Sequence, residues 1–292
     1  MRNDVFKKIP LLVAAAVITA CGGGSDAGSA DAGDAGAGDA PAATAIDPAT
    51  VGTISGTINF AGDVPAATAI DMSAEADCAA AYDADGPMSI EVLADNGKLA
   101  NVFVYLTGVS NAPEPSGSVS IDQKNCRYSP HVLGVQVGQD LKITNSDDML
   151  HNINASPTDN RGFNTSQPKA GMESTQRFAV AEVMIPVRCD VHGWMTAFIG
   201  VVDHPYFAVS GPDGSFTISD VPAGTYTAEA WHEVFGTMSA SVTVTAGGSA
   251  SLSFDYSADM AGADVPLGEP LVIDRGENGM ENRGSPSGVA GR

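Results

Sequence analysis

The sequence predicts an all-β protein that contains two β-sandwiches. Short runs of β-branched or alternating apolar and polar residues recur between residues 51 and 256. Turn residues separate them, as in Asp95-Asn96-Gly97 and Val221-Pro222-Ala223-Gly224. The content of Gly 33 and Pro 17 also favours short strands over long helices. The predicted strands are Val51–Phe60, Ser89–Leu93, Asn101–Thr107, Leu141–Asn145, Arg177–Val187, Ala197–Val202, Ser215–Ile218, Thr225–Trp231, Ala240–Thr245 and Ser251–Tyr256.

One helix is predicted, over Ser73–Tyr82, with Ser73 at its N-cap.

The charge balance is strongly acidic, because Asp+Glu 35 against Lys+Arg 14 gives a formal net charge of −21. Such a chain lacks the basic surface that nucleic acids require, so we expect no nucleic-acid partner. It should instead attract basic protein partners.

The two ends of the chain are predicted to lie outside the folded body. Residues 1–20 have the basic start and apolar run of a signal peptide. Their last three residues and the next one form Ile18-Thr19-Ala20-Cys21, which resembles the lipobox of bacterial lipoproteins and implies acylation of Cys21. Residues 21–50 are rich in Ala, Gly and Asp and read as a flexible tether, and residues 257–292 as a disordered tail.

A split into two modules is predicted near residue 204. The run from Gly214 to Tyr226, G-S-F-T-I-S-D-V-P-A-G-T-Y, resembles the signature of carboxypeptidase-regulatory-like (transthyretin-like) β-sandwiches. This resemblance implies a small sandwich over residues 204–256. The segment 51–87 also begins like the first strand of that family, so the second sandwich is either contiguous or divided around the middle of the chain.

The strongest chemical signal is Cys189-Asp190-Val191-His192-Gly193-Trp194-Met195, which places thiol, imidazole and thioether side chains within seven residues. A second imidazole, His151, follows the predicted strand Leu141–Asn145. One thiolate, two imidazoles and a weak thioether form the ligand set of type 1 copper. The ends of neighbouring strands can bring these side chains together at one pole of a sandwich.

These elements resemble the cupredoxins, in particular the plastocyanin and amicyanin group, over residues 88–203. The resemblance implies a Greek-key β-sandwich with one mononuclear copper ion. It assigns His151, Cys189 and His192 as ligands and Met195 as the long axial ligand. Met149 and Met184 are alternatives for the axial position.

The chain departs from the family pattern beside the thiolate. Asp190 stands where Thr or Ser usually follows the cysteine, and we expect it to accept a hydrogen bond from Asn152. Val191 stands where proline is common and keeps its N–H, which predicts a second N–H···S bond to Cys189. The carboxylate favours Cu(II) and the added bond favours Cu(I), so no potential is predicted.

The remaining cysteines are predicted to form a disulfide. Cys21 is assigned to the lipid, and Cys189 is assigned to copper by the resemblance. In an oxidising, exported compartment, Cys78 and Cys126 are then expected to pair.

The remaining expectations concern the other histidines, the exposure of His192 and the place of Trp194. We expect His131 to be a structural or surface residue, His232 to lie at a strand end against the junction, and His204 to hydrogen-bond at the module boundary. His192 is expected to be exposed, with Trp194 either part of an apolar docking patch or packed over the copper site.

The predicted function is that of an exported, lipid-anchored blue copper protein that transfers single electrons between redox partners. These partners are expected to be basic or membrane-bound, and the location to be the periplasmic side of the membrane, the outer membrane or the cell surface. No H-E-x-x-H, G-x-S-x-G, P-loop or C-x3-C motif occurs, so no enzyme activity is predicted. The alternatives are copper delivery without redox turnover, and a carbohydrate-binding or adhesive lipoprotein.

Overall fold

The computed structural model describes residue 47 and residues 49–83 and 86–262, all of which belong to the compact unit Ala43–Arg292. The predicted signal peptide, acylated Cys21, most of the tether and the tail beyond residue 262 lie outside the described residues. Within the described part of the chain, no helix has the length and apolar character needed to cross a membrane.

The described residues are mainly β-strands, which are numbered here in chain order. The strands are β1 (Val51–Ala61), β2 (Ala94–Asp95), β3 (Lys98–Leu99), β4 (Phe103–Thr107), β5 (Ser118–Lys124), β6 (Arg127–Ser129), β7 (Val132–Gln136), β8 (Asp140–Asn145), β9 (His151–Ala155), β10 (Phe163–Gln167), β11 (Met172–Gln176), β12 (Glu182–Arg188), β13 (Thr196–Val202), β14 (Phe207–Val209), β15 (Ser215–Pro222), β16 (Gly224–His232), β17 (Gly236–Val244) and β18 (Ser249–Ser257). The helical elements are α1 (Ala76–Ala79) and a 3-10 turn (Ala258–Met260).

Strands β5–β13 form one sandwich, which we call the insert sandwich. One of its sheets has the order β6-β5-β8-β11 and the other has the order β10-β9-β12-β13-β7. Apolar side chains from alternate positions of both sheets, such as Ile121, Ile143, Ile153 and Ile199, are fully buried between them.

The remaining strands form a second sandwich, the host sandwich, which is divided along the sequence. Strand β1 pairs antiparallel with β15 and parallel with β18, so residues near the start and end of the folded body share one sheet. The other sheet has the order β14-β4-β16-β17. The insert sandwich leaves the host after β4 and returns at β14, and these two strands lie side by side.

The predicted fold class, all-β with two sandwiches, is confirmed for the described residues. The boundary predicted at residue 88 does not match the strand pairing, because β4 hydrogen-bonds to β14 and β16 of the host sandwich. Sequence patterns can indicate a strand but not its pairing partner, and β4 is separated from both of its partners by the whole insert sandwich.

Three local predictions are corrected. Ser89–Leu93 contains no strand, and the short hairpin β2–β3 around Asn96-Gly97 follows it instead. The helix predicted over Ser73–Tyr82 is the single turn α1, preceded by Glu75, which makes no side-chain cap hydrogen bond. Strand β12 begins at Glu182 rather than at Arg177.

At the junction between the sandwiches, apolar side chains of β7 and β13 in the insert pack against apolar side chains of β4, β14 and β16 in the host. Gly134 and Gly200 lie opposite each other in the β7–β13 pair. A Cβ atom at Gly200 would overlap the ring of Phe103, and one at Gly134 would overlap that of Phe207. The two glycines therefore make the flat site into which the host aromatic rings pack.

A buried polar pair crosses the same junction. His131, just before β7, has its Nε2 2.5 Å from Oε1 of Glu233, just after β16. Its Nδ1 lies 3.1 Å from the carbonyl oxygen of Thr196. His131 and Glu233 are each 6% exposed, so this pair links the insert sandwich to the host away from water.

Candidate metal centre

The first part of the site is the turn between β8 and β9. Asn145 closes this turn from inside, because its Oδ1 accepts from the amide of Asp147 (2.9 Å) and its Nδ2 donates to the carbonyl of Met149 (2.9 Å). His151 is the first residue of β9 and is fully buried. The braced turn thus aims a buried imidazole at the pole of the insert sandwich.

The second part is the loop between β12 and β13. The amide of Cys189 donates to the carbonyl of Met195 (3.0 Å), and the amide of Met195 donates to the carbonyl of His192 (2.9 Å). These bonds fold the loop into a compact turn. Because β12 pairs with β9, the start of this loop lies beside the residues that follow His151.

The structure brings three predicted ligands together. One ligand atom each from His151, Cys189 and His192 lies within 4.8 Å of the others, and all three residues are buried. The two Nδ1 atoms are 2.9 Å apart, and the Cys189 sulfur is 3.9 Å from His192 Nδ1. Two imidazole nitrogens and a sulfur therefore converge on one small volume.

The surroundings of Cys189 favour its thiolate. Burial raises the pKa of the thiol, but contact with the His151 imidazole and hydrogen bonds from backbone N–H groups outweigh burial and bring the pKa below its usual value. The amide of His192 lies 3.4 Å from the sulfur, and the amides of Asn152 and Val191 also contribute to the lowered pKa. A thiolate is the form that binds a metal.

Asp147 is a site residue that the sequence analysis missed. Its Oδ2 lies 2.9 Å from Nε2 of His151. Burial lowers the pKa of His151, while the hydrogen bonds with Cys189 and Asp147 raise it by more. The available signal was a carboxylate four residues before a ligand histidine, since such ligands usually donate their second N–H to an acceptor.

Met195 is fully buried directly after the ligand loop, and its place as axial ligand stays a prediction. The two alternatives have other contacts. The sulfur of Met149 lies 3.3 Å from that of Cys126, and Met184 packs in the junction between the sandwiches.

Asp190 is held by a group of carboxamides. Its carboxylate accepts hydrogen bonds from Nδ2 of Asn164 (2.7 Å), Asn152 (3.0 Å) and Asn154 (3.1 Å). The amide of Asp190 donates to Oδ1 of Asn152 (2.8 Å). Burial raises the pKa of Asp190, but the carboxamides and Arg188 lower it by more, so the carboxylate is charged beside the site. The expected bond from Asn152 is present, and the other two carboxamides were not foreseen.

His192 is buried rather than exposed, since only 2% of its surface is accessible. The ring of Trp194 packs on it with the ring centroids 5.2 Å apart, and the indole N–H donates to the carbonyl of Cys126 (3.1 Å). Trp194 therefore covers the site, the second of the two readings of this residue. This cover was not predicted because the rest of it comes from a segment that is distant from Trp194 in the chain.

The segment that connects β1 to β2 covers the pole of the insert sandwich. We call its described residues, 62–83 and 86–93, the cover segment. It is cross-linked by the disulfide Cys78–Cys126, and Met72 and Cys78 are buried in the insert core. The hydroxyl of Tyr82 donates to the carbonyl of Asn125 (2.7 Å). Among the described cysteines, Cys189 is the free one.

The donor set fits copper. Hydrogen bonding by Asp147 occupies Nε2 of His151 and leaves Nδ1 facing His192 and the thiolate. Two bare imidazole nitrogens at 2.9 Å have no favourable contact unless a proton or a metal ion lies between them. A buried thiolate with two imidazoles suits copper better than the hard cations, which prefer oxygen ligands.

Comparison with protein families gives one match. Residues 176–252 match the model described as polysaccharide lyase family 4, domain II. This is not the carboxypeptidase-regulatory-like family that the Gly214–Tyr226 run resembles. No curated protein matches the chain.

Comparison with solved structures gives neighbours that are similar over about a third of the chain. A copper-containing nitrite reductase from Thermus scotoductus SA-01 is 18% identical, with TM-score 0.28, over 33% of this chain and 25% of its own. A purple cupredoxin from Nitrosopumilus maritimus is 22% identical, with TM-score 0.25, over 29% of this chain and 99% of its own. An amicyanin variant in its Cu(I) form is 19% identical, with TM-score 0.26, over 34% of this chain and 97% of its own. The chain thus spans about a quarter of the nitrite reductase.

Proposed function

We propose that this chain is a type 1 copper protein that transfers single electrons and catalyses no reaction of its own. The observation that supports the proposal most is the convergence of a buried thiol and two buried imidazoles, Cys189, His151 and His192, within 4.8 Å. Bound copper would supply the one-electron couple between Cu(II) and Cu(I).

The protein residues contribute a closed and braced ligand set. The carboxylate of Asp147 fixes one imidazole, and the backbone bonds of the Cys189–Met195 loop fix the others. Ligands that are held in place by packing move little when the charge of the site changes, which is what fast electron transfer requires. Burial of every ligand argues against a site that releases its metal readily, and so favours electron transfer over copper delivery.

We further propose that the chain is exported and held to a membrane by a lipid on Cys21, with the acidic tether of residues 21–50 giving it reach. The net charge of −21 favours redox partners with a basic docking face. Lower affinity for such a partner at higher salt is the expected consequence.

The visible spectrum of the copper-loaded protein tests the proposal. Residues 47–262 with added Cu(II) should show an intense thiolate-to-copper band that is absent in Cys189→Ser. A second variant, Cys78→Ser/Cys126→Ser, removes two other sulfur atoms near the site but leaves the thiolate, so it should keep the band even where the position of the band shifts. A colourless protein that still binds copper would replace electron transfer with delivery, and a protein that binds no copper would overturn both.

A further inference from the structure

Asp147 lies between a proposed copper ligand and the anchor of the cover segment. We propose that Asp147 is a positioning residue that fixes His151 as an Nδ1 ligand and ties it to the disulfide-linked cover. This inference rests on the proposed function, because it concerns the ligand that the proposed copper would use. It is carried by three hydrogen bonds to one carboxylate.

The first bond determines which nitrogen of His151 is free. A carboxylate accepts hydrogen bonds and donates none, so the Asp147 contact at 2.9 Å requires the proton of the neutral imidazole to be on Nε2. Nδ1 then carries the lone pair, and Nδ1 is the atom that faces His192. The negative charge of the Asp147 carboxylate also raises the basicity of Nδ1, which strengthens its bond to a metal cation.

The other two bonds hold the turn between β5 and β6. Oδ1 of Asp147 accepts from the amide of Asn125 and Oδ2 from the amide of Cys126, both at 2.8 Å. Asn125 and Cys126 have φ of 53° and 52°, a region that non-glycine residues rarely adopt. Because both amides point at one carboxylate, Asp147 stabilises a turn that the backbone alone would disfavour.

The same turn is where the cover segment is attached. Cys126 carries the disulfide to Cys78, the carbonyl of Asn125 accepts from Tyr82, and the carbonyl of Cys126 accepts from Trp194. The cover, the turn and the ligand are therefore joined in series through Asp147. We infer that a change in the anchoring of the cover reaches His151 by this route.

The first experiment compares Asp147→Asn with Asp148→Asn. Both substitutions remove one negative charge, but Asp148 is exposed and serves as the matched control. In Asp147→Asn the new amide group cannot accept from both the imidazole and the two backbone N–H groups. We expect Cu(II) affinity to fall about 10- to 100-fold, with a smaller loss for Cu(I) and a higher reduction potential.

A readout without copper separates this inference from the proposed function. The nitrogen chemical shifts of the His151 ring in the metal-free protein report which nitrogen carries the proton. The wild-type protein and Asp148→Asn should hold the proton on Nε2, and Asp147→Asn should show a mixture. Equal ring shifts in the two variants would overturn the positioning role, whereas a protein that binds no copper would overturn only the proposed function.

The tie to the cover is tested with Cys78→Ser/Cys126→Ser. Hydrogen exchange of residues 70–82 should become faster, and the His151 ring signals should move towards those of Asp147→Asn. Faster exchange with unchanged ring signals would overturn the tie. If Asp147→Asn fails to fold, Asp147→Glu keeps the charge at an altered reach and should shift the His151 signals without loss of the turn; unchanged signals there would also count against the role.

Discussion

Histidines are buried in two regions of this molecule, and their partners differ. One region is the pole of the insert sandwich that carries the proposed ligands, and the other is the junction with the host. Each of the five histidines is less than 7% exposed. At the junction, His131 is bonded to a glutamate and a carbonyl, and His204 is bonded to the backbone at both ring nitrogens. At the pole, His151 and His192 turn one ring nitrogen towards each other. Burial alone does not distinguish a ligand from a structural histidine, but the atom opposite each nitrogen does.

The largest expected effect comes from removing a histidine from each region. His192→Ala should abolish the blue colour and weaken copper binding on the order of 1,000-fold or more, since loss of a ligand's hydrogen-bonding partner alone costs about 10- to 100-fold. His204→Asn should leave copper binding unchanged and cost about 1 kcal/mol of unfolding free energy. Copper titration of both variants measures the two affinities. Similar affinities would show that the histidines at the pole and at the junction do not differ in metal binding.

The next effect concerns the buried pair at the junction. Glu233→Ala leaves His131 without its carboxylate partner in a site away from water, so it should lower the unfolding free energy by about 1–3 kcal/mol. The double variant His131→Phe/Glu233→Leu removes both polar groups and should recover much of that loss. Urea unfolding of the single and double variants measures the difference, and an equal loss in both would show that packing rather than pairing matters here.

His232 sharpens the comparison through its response to acid. Burial and, to a smaller extent, the nearby charge of His131 together lower the pKa of His232 to about 3, against about 6.5 in an unfolded chain. Between these values the unfolded chain holds one more proton than the folded chain, so the unfolding free energy falls as the pH falls, by about 1.4 kcal/mol per pH unit. The ring Nδ1 accepts from the amide of Val234 and cannot do so once protonated.

Between pH 7 and pH 4.5, the wild-type protein should therefore lose about 2–3 kcal/mol more than His232→Asn. Chemical unfolding of both proteins at the two pH values measures this difference. A parallel loss in the variant would mean that other groups carry the acid response.

The smallest expected effect is a test of the packing at the junction. Gly200→Ala places a methyl group against the ring of Phe103 and should cost about 1–3 kcal/mol. Gly193→Ala is the control, because no atom lies within 4 Å of the added carbon. A thermal shift for Gly200→Ala no larger than that of the control would show that the junction is loosely packed.

The sequence was sufficient for the fold class and for the three residues, His151, Cys189 and His192, that converge as candidate ligands. The alternation of apolar and polar residues and the turn residues are local signals. The spacing of Cys189, His192 and Met195 is also local, because it places all three in one loop. The disulfide could be anticipated from the redox compartment, once Cys189 was assigned to copper.

The rest depended on contacts between distant segments. The pairing of β4 with host strands and the burial of His192 both arise where one segment meets another far away in the chain. The contact of Asp147 with the amide of Cys126 likewise joins two separate turns, 21 residues apart. Strand β7 escaped prediction for a related reason: its residues Val132–Gln136 are all buried, so the alternation that marks a half-exposed strand is missing.

The divided host sandwich has a consequence for the order in which the chain can fold during synthesis. Strand β1 emerges early, but its parallel partner β18 follows almost two hundred residues later, from Thr53↔Ser249 to Ala61↔Ser257. The strands β5–β13 pair among themselves and can close before the host is complete, as local pairings form sooner than distant ones. Until β15 and β18 arrive, β1 has open edges that invite association with other chains. The nascent chain is thus most vulnerable to aggregation in the interval between completion of the insert and arrival of the last host strands.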